Sequence, residues 1–350
     1  MIAAMMGVLA LLAVYVATFV LYVALPGRWV DGYARDARGA PLRYHLDGLL
    51  VFAVMIGAYV ALSATGTIAW DLFYRERVAA LATAIAAGLV FTFAIVLTAP
   101  PTGKPWLADL FLGRRENPQK GRADAKMFLY LVGAVMLELN LLAFTAHHVL
   151  HFADSTSIVV YTALFSFFLV DYLWFERVHL YTYDFVAERV GFKLGWGCLA
   201  FYPFFYGIGA WFAASEPAPA RNRAWLVIAV IVFFAGWTLA RGANLQKFAF
   251  KVDPTRTTFG PLAQTSLEGR VLVSGFWRLS RHINYLGEIL MASGLALAIG
   301  HPGAWLYPLY YVGLLVPRQL DDDRRCAAKY GPLWDEYKRT VPYRIIPKIY

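Results

Sequence analysis

Apolar runs of about 20 residues recur along almost the whole chain, and they restrict its possible folds more than any other feature. An α-helix rises about 1.5 Å per residue, so a run of this length spans the roughly 30 Å hydrocarbon core of a bilayer. The runs lie at residues 2–25, 48–66, 78–99, 127–150, 157–175, 194–214, 224–240, 286–300 and 304–316. This pattern predicts an all-α polytopic membrane protein with about nine to ten transmembrane helices, the last two runs forming a short hairpin.

The composition agrees with this class of protein. Of the 350 residues, 59% are hydrophobic. Only 16% are charged, whereas soluble proteins have about 25%. The first run is too long for a signal peptide, no basic residue precedes it and no small-residue cleavage site follows it, so we interpret it as a span. The two cysteines, Cys198 and Cys326, cannot form a disulfide framework, and they do not suggest a metal cluster.

Basic residues are distributed unevenly between the two sides of the predicted bundle. With nine spans, four residues lie on one side, namely Arg75, Arg77, Arg221 and Arg223. All the other Lys and Arg residues, of 32 in the chain, fall on the opposite side, together with the C-terminal tail. Because loops rich in Lys and Arg stay in the cytoplasm, the sequence predicts a cytoplasmic tail. Topology therefore explains the net charge of +9, and nucleic-acid binding is not expected because no soluble domain is large enough for it.

Three histidines near the end of the fourth run, His147, His148 and His151, have a helical spacing that could place two imidazoles beside a metal ion. No cysteine is near them, and Asp154 is the only close carboxylate, so an interfacial cluster is the favoured interpretation. HExxH, Gly-rich phosphate-loop and GxSxG motifs are missing from the sequence. This argues against a zinc protease, a Walker-type ATPase and an α/β-hydrolase.

Ionisable residues crowd the C-terminal quarter beside the last apolar runs, where burying them is costly, so we expect a functional site there. Residues 241–285 are too polar to span and are predicted to form a cytoplasmic loop. In this segment and in the tail, Arg and Lys alternate with Asn, His and Tyr. Such a set suits a polyphosphate ligand, because Arg binds phosphate through two bonds and Lys acts as a point charge. An anionic-lipid patch is the alternative, but it does not require the hydrogen-bonding residues.

Three stretches carry a family pattern. They are Arg241-Gly-Ala-Asn-Leu-Gln-Lys247, the run SGFWRLSRHINYLGE at 274–288, and residues 318–350, which include KYG and VPYRIIP. In these stretches the chain resembles the membrane-bound sterol carbon–carbon double-bond reductases, the family of the Δ14-, Δ7- and Δ24(28)-sterol reductases. Weaker similarity extends upstream through ENPQKG to LPGRWVDG, so the resemblance covers nearly the whole chain.

The resemblance implies a single membrane domain over residues 1–350, with N-terminal helices in 1–175 and a catalytic half in 176–350. It implies reduction of a sterol double bond by NADPH, in a cofactor pocket of the C-terminal half that opens to the cytoplasm. The sterol would enter from the bilayer lipid, and nothing in the sequence indicates an oligomeric state. Position by position, the implied cofactor-binding residues are Lys247, Lys251, Trp277, His282, Asn284, Glu288, Arg318, Asp322, Tyr330 and Tyr337.

An isolated, electron-rich alkene does not accept hydride directly, so the implied reaction needs a proton donor in a dry pocket as well as a hydride donor. Asp322 is our main hypothesis for the proton relay. Tyr181 or Tyr183, close to Asp184, is the hypothesis for the donor itself, with interfacial anchoring as the alternative role for these tyrosines.

The intact runs RHINYLGE and VPYRIIP favour a Δ14-reductase, although the Δ7 and Δ24(28) activities stay open. Two departures from the family pattern bear on the substrate: the segment Glu116-Asn117-Pro118-Gln119, and Asp321 where a basic residue is usual. The alternatives outside the reductases are an enzyme like the prenylcysteine carboxyl methyltransferases and an inactive sterol-binding membrane protein.

Overall fold

The computed structural model describes residues 2–220 and 223–350. Arg221, one of the four basic residues assigned to the opposite side, lies outside them. The helices are α1 (Ile2–Ala24), α2 (Gly48–Ala64), α3 (Leu72–Arg75), α4 (Arg77–Leu97), α5 (Trp106–Leu112), α6 (Ala125–His151), α7 (Thr156–Trp174), α8 (Glu176–His179), α9 (Tyr183–Val186), α10 (Phe192–Trp196), α11 (Tyr202–Phe205), α12 (Ile208–Ala213), α13 (Ala224–Val252), α14 (Ile283–Ile299), α15 (Leu306–Tyr330) and α16 (Pro332–Thr340).

The loops contain four short antiparallel hairpins that the all-α prediction did not include. Their strands are β1 (Arg28–Arg35) with β2 (Pro41–Leu46), β3 (Gln119–Lys120) with β4 (Ala123–Asp124), β5 (Thr258–Phe259) with β6 (Leu262–Ala263), and β7 (Ser266–Leu267) with β8 (Val271–Leu272). Two 3-10 turns at Gly275–Arg278 and Pro302–Trp305, and a π-helical segment at Gly197–Phe201, complete the elements. The prediction of a mainly helical chain is confirmed.

Among the described residues, five helices are long and apolar enough to cross a membrane. They are Met5–Ala24, Arg77–Leu97, Ala125–His151, Thr156–Trp174 and Ala224–Val252, and two shorter apolar helices are Gly48–Ala64 and Ile283–Ile299. The protein is therefore an integral membrane protein. The exact count of nine to ten spans is not confirmed by the helices of the described residues and stays a prediction.

The sixth predicted span, residues 194–214, is not one regular helix. α10, the π-helical segment and α11, with Pro203 in its first turn, follow one another without a gap, and a turn that ends at Gly207 separates them from α12. Proline lacks an N–H and glycine lowers helix stability, so an apolar run interrupted by both need not form a continuous helix. Hydropathy alone does not register these interruptions.

The predicted loop 241–285 also differs from the structure. Its first part, up to Val252, continues α13, so the basic residues Arg241, Lys247 and Lys251 lie on the last turns of a helix. Likewise, α15 runs from the apolar residues near Leu306 through the charged residues to Tyr330. Polar residues mark the end of the membrane-spanning part. The helix itself can continue, because its main-chain hydrogen bonds join residues four apart whether or not the side chains are polar.

The chain forms two compact units, Met1–Ala218 and Pro219–Tyr350. In the N-terminal unit, α6 is buried over most of its length and packs against α1, α2, α7 and α11. An apolar helix without a polar face is typical of such a central position. The contact with α11 is close, since a Cβ at Gly133 would lie 2.3 Å from a ring carbon of Tyr202. The predicted functional division near residue 175 stays a prediction.

In the C-terminal unit, α13 and α14 cross at small residues. A Cβ at Gly287 would lie 2.4 Å from the main-chain nitrogen of Ala240 and 2.6 Å from the main-chain oxygen of Gly236. A Cβ at Gly294 would lie 2.7 Å from the main-chain nitrogen of Phe233. Without side chains at these positions the two backbones approach closely, which is a common way to pack helices in a membrane.

Candidate cofactor site

The last turns of α13 present a row of polar side chains. Arg241, Asn244, Lys247 and Lys251 follow one another at intervals of three to four residues, so they share one side of the helix. The Nζ atom of Lys247 lies 5.1 Å from the ring centroid of Trp277, within the range of a cation–π contact. The helix thus places a fixed positive charge beside the turn that precedes α14.

Trp277 and Tyr337 hold that turn in place. The indole Nε1 of Trp277 donates to the carbonyl oxygen of Ala243 at 2.9 Å, and the Tyr337 hydroxyl donates to the carbonyl oxygen of Trp277 at 2.9 Å. Both side chains are buried in apolar clusters. Their donors are therefore used by the main chain, and contact of either residue with a cofactor stays a prediction.

His282 is the residue immediately before α14, and its side chain is only 4% exposed. Its Nδ1 lies 3.8 Å from Oδ2 of Asp322, and its ring stacks on Tyr285. Burial lowers the pKa of His282 to about 4, and the positive charges of Lys247 and Arg281 act in the same direction. The imidazole is therefore neutral near pH 7. Its Nε2 is buried and has no hydrogen-bond partner among the described residues.

Asn284, in the first turn of α14, has a similar feature. Its Nδ2 donates to Oδ1 of Asn244 at 3.3 Å, while its own Oδ1 is buried with no hydrogen-bond partner in the described part of the chain. A buried polar atom left without a partner costs about 1–3 kcal/mol, so such atoms usually meet a water or a ligand. Two of them, on residues 282 and 284, mark this end of α14 as a place for a polar ligand.

Two further predicted site residues, Arg318 and Asp322, lie on one face of α15. Arg318, Asp322 and Cys326 are spaced by four and lie on one face of the helix. Burial raises the pKa of the Cys326 thiol to about 12, although the charges of Lys247, Lys251 and Lys329 act to lower it.

Tyr330, the last residue of α15, lies among cations and aromatic rings. The guanidinium of Arg270 is 5.7 Å from its ring centroid, the Nζ of Lys329 is 5.1 Å away, and Trp334 stacks on it at 6.2 Å. Glu288 is half-buried on α14, one turn after Asn284.

The residues of the C-terminal unit fit a cofactor such as NADPH in chemical terms. Lys247 and Arg318 supply the positive charge that phosphates require, and Lys251 lies one turn beyond Lys247 at the same end of α13. The orphaned Nε2 of His282 and Oδ1 of Asn284 supply buried hydrogen-bonding atoms.

The two tyrosines predicted as proton donors belong to the N-terminal unit. Tyr181 is half-buried with its ring 5.5 Å from that of Tyr33, and Tyr183 is the first residue of α9. Their segment is anchored by the buried Lys126, whose Nζ donates to the carbonyl oxygen of Asp184 at 2.7 Å. A donor role for either tyrosine stays a prediction.

The three histidines of α6 are engaged by other groups. His147 Nδ1 lies 3.1 Å from Oδ2 of Asp71. His148 contacts the Ser155 hydroxyl at 2.7 Å and the carbonyl oxygen of Glu216 at 3.0 Å. His151 Nδ1 lies 2.7 Å from the carbonyl oxygen of His147. Within residues 2–220 and 223–350, no group of three or more His, Cys, Asp and Glu residues could hold a metal ion.

Sequence reasoning missed two amides of the RGANLQK run, namely Asn244 and Gln246. Gln246 is fully buried, and its Oε1 accepts from the main-chain nitrogen of Phe276 at 3.0 Å while its Nε2 donates to the carbonyl oxygen of Ser274 at 3.3 Å. The sequence does contain one indication of this role. An amide at a buried position of an apolar helix needs hydrogen-bond partners, because an unsatisfied polar group there would be costly.

The fold and this site define a helical membrane protein with a basic, hydrogen-bonding site in its C-terminal unit. Comparison with known families then identifies the group: the chain belongs to the Ergosterol biosynthesis ERG4/ERG24 family, whose model matches residues 5–350.

Similar curated proteins include the Delta(14)-sterol reductase of Arabidopsis thaliana, which is 32% identical over 99% of this chain and 98% of its own length. The Delta(14)-sterol reductase TM7SF2 of Mus musculus is 33% identical over 98% of this chain and 85% of its own. The Delta(14)-sterol reductase of Methylotuvimicrobium alcaliphilum is 31% identical over 94% of this chain and 80% of its own.

Proposed function

We propose that the protein reduces a carbon–carbon double bond of a sterol with NADPH, and that the Δ14 bond is the favoured substrate bond. The buried, unpartnered atoms of His282 and Asn284 beside Lys247 are the main observation in support. The names of the relatives add support, because all three of those described above are Delta(14)-sterol reductases and match almost the whole chain.

In this proposal, Lys247, Lys251 and Arg318 bind the phosphates of the cofactor. NADPH, when bound, supplies a hydride. A neutral imidazole carries one N–H, and the nearby negative charge of Asp322 favours that proton on Nδ1 of His282. Nε2 of His282 is then a hydrogen-bond acceptor, as is Oδ1 of Asn284. The two residues together would bind a donor such as an amide or hydroxyl group.

Asp322 holds and passes the proton in this proposal. It is half-buried on the face of α15 that also carries Arg318, so a carboxyl group there can exchange protons with water while facing the site. Protonation of the alkene must precede hydride capture, which requires an acid held in a water-poor place. Tyr183 or Tyr181 is the second candidate for the group that delivers the proton to the sterol.

We further propose that the cofactor site faces the cytoplasm and that the sterol enters from the bilayer. The support is the excess of Lys and Arg in the segments that share a side with the tail, together with the apolar helices that precede them.

The test is incubation of purified protein with Δ14, Δ7 and Δ24(28) sterols and NADPH deuterated at C4, followed by mass spectrometry. We expect one deuterium in the reduced Δ14 sterol, and little product with the other two sterols. Product from the Δ7 or Δ24(28) sterol alone would correct the substrate bond. Absence of turnover on all three sterols would contradict the proposal, and binding of S-adenosylmethionine in place of NADPH would favour a methyltransferase.

A further inference from the structure

The end of the chain runs beside the three residues that precede α14. The main-chain N–H groups of Arg281 and His282 donate to the carbonyl oxygens of Tyr343 and Arg344, at 3.0 and 2.8 Å. The Ser280 hydroxyl donates to the carbonyl oxygen of Ile345 at 2.8 Å. Ser280, Arg281 and His282 are all buried. Their backbone is therefore held by a segment about 60 residues further along the chain, rather than by the helix that they introduce.

This segment, residues 343–350, closes on itself, and we refer to it as the C-terminal hook. The N–H groups of residues 344, 345 and 346 donate to the main-chain oxygen of Tyr350, at 2.7, 2.9 and 3.1 Å. The N–H of Tyr350 donates back to the carbonyl oxygen of Ile346 at 2.9 Å. Three successive N–H groups directed at one oxygen form a nest that fixes the local backbone.

The hook is also tied to α15. Nε2 of Gln319 donates to the Tyr350 hydroxyl at 3.3 Å, and Gln319 is fully buried. Gln319 directly follows Arg318 and is three residues before Asp322 on the same helix. The hook therefore contacts both the residues before α14 and the helix that carries Asp322.

The tip of the hook buries little apolar surface. Ile349 is 79% exposed and Tyr350 is 42% exposed, whereas Ile345 is buried. Hydrogen bonds rather than apolar burial therefore account for most of what the tip contributes, and their removal should alter the geometry of the neighbouring residues more than the overall stability.

We propose that the C-terminal hook is a positioning device for the cofactor site, with Ser280, Gln319 and Tyr350 as positioning residues. It sets the backbone of Ser280–His282, and thereby the direction of the His282 imidazole and of Asn284 in the next turn. Sites of this kind lose affinity when their groups shift by about 1 Å. The inference rests on the proposed NADPH-dependent function.

The test compares Tyr350→Phe, which removes only the hydroxyl bound by Gln319, with Ser280→Ala, which removes the hydroxyl bound to Ile345. Ile349→Ala, at the exposed tip, is the matched control. Affinity for NADPH is measured without sterol by quenching of tryptophan fluorescence, and amide hydrogen exchange is followed at residues 281 and 282. The thermal midpoint of unfolding is measured in parallel.

We expect each of the two variants to weaken NADPH binding about three- to tenfold, the effect of one or two lost hydrogen bonds. We also expect faster exchange at residues 281 and 282, with the control variant unchanged. If the wild-type protein binds NADPH and both variants bind it equally well, the inference is wrong and the proposed function stands. If the variants only lower the thermal midpoint, the hook is structural and the inference is again wrong. If the wild-type protein does not bind NADPH at all, the proposed function itself fails.

Discussion

A buried carboxyl cluster in the N-terminal unit and a buried imidazole in the C-terminal unit respond to burial in opposite ways. In the N-terminal unit, carboxyl groups meet at the start of α2: Asp47 lies 3.4 Å from His45, and Glu176 accepts from the main-chain N–H of Gly48 at 3.2 Å. Burial raises the pKa of Asp47 to about 7 and that of Glu176 to about 8. In the C-terminal unit, the buried group is the imidazole of His282, whose pKa burial lowers to about 4.

The difference shows that burial disfavours charge of either sign, with opposite consequences for protons. Near neutral pH the N-terminal carboxyls tend to keep a proton, whereas His282 has already lost its own. The neutral imidazole can then accept a hydrogen bond from a neutral donor group, while the nearby cations Lys247 and Arg281 favour an anion. This combination suits a cofactor that carries both phosphates and hydrogen-bond donors.

The largest expected effect concerns Asp322. Asp322→Asn should lower the rate of sterol reduction by about 10²- to 10⁴-fold, because the amide cannot transfer a proton. The affinity for NADPH should fall much less than the rate, because the cations Lys247 and Arg318 remain. Asp335→Asn is the matched control, since Asp335 is an exposed carboxylate of α16 paired with Lys338 at 2.9 Å. Steady-state kinetics with a Δ14 sterol would measure the rates of both variants. Normal turnover by Asp322→Asn would show that Asp322 is not needed for proton transfer, and would leave Tyr183 or Tyr181 as the candidate proton donor.

The second prediction concerns Glu176. Its pKa is higher in the folded protein than the usual 4.5, so the folded state binds more protons and stability should fall as the pH rises from about 4.5 to 8. Glu176→Gln should remove this loss, which we put at about 4 kcal/mol. Thermal midpoints across this range would measure it, with the exposed Glu116→Gln as control. If the thermal midpoints of wild type and Glu176→Gln changed with pH in the same way, the raised pKa of Glu176 would be contradicted.

His282 should give the opposite response. Its pKa is lower in the folded protein than the usual 6.5, so the unfolded state binds more protons and stability should fall as the pH drops from about 6.5 to 4. His282→Gln should remove this loss of roughly 3 kcal/mol. The same thermal series would measure it, with the exposed His151→Gln as control. If Glu176→Gln and His282→Gln both removed the loss of stability at the same end of the pH range, the opposite responses of the two units would be contradicted.

The smallest effect is expected at Lys247. Lys247→Ala should weaken NADPH binding about tenfold, with the rate at saturating cofactor largely kept, because a single charge contact contributes about 1–2 kcal/mol. Lys247→Arg should retain most of the affinity, and Lys338→Ala, at a lysine of α16 that is paired with Asp335, serves as control. Titration of each variant with NADPH at low and at high salt would measure the dissociation constant. An unchanged dissociation constant would place the phosphates away from the end of α13.

The sequence was sufficient to predict the membrane class, since apolar runs of span length depend only on local composition. The broken span near Pro203 and Gly207 was not predictable by counting apolar residues, because helix continuity depends on backbone hydrogen bonds. The family pattern led to the prediction of Lys247 as a cofactor-binding residue. Its contact with Trp277 could not be predicted, because it requires the tertiary fold to bring a residue 30 positions later beside α13. The unpartnered Nε2 of His282 also had no sequence signal, since it depends on which atoms surround the ring.

The close crossing of α13 and α14 has a consequence for genetics. The amides of Asn244 and Asn284 can meet at 3.3 Å only while Gly287 leaves no side chain between the two helices. A random mutational screen for loss of cofactor binding should therefore recover substitutions at Gly287 as readily as at Asn284. Such alleles would be grouped with the binding-site mutants although residue 287 has no side-chain atom to contact a ligand.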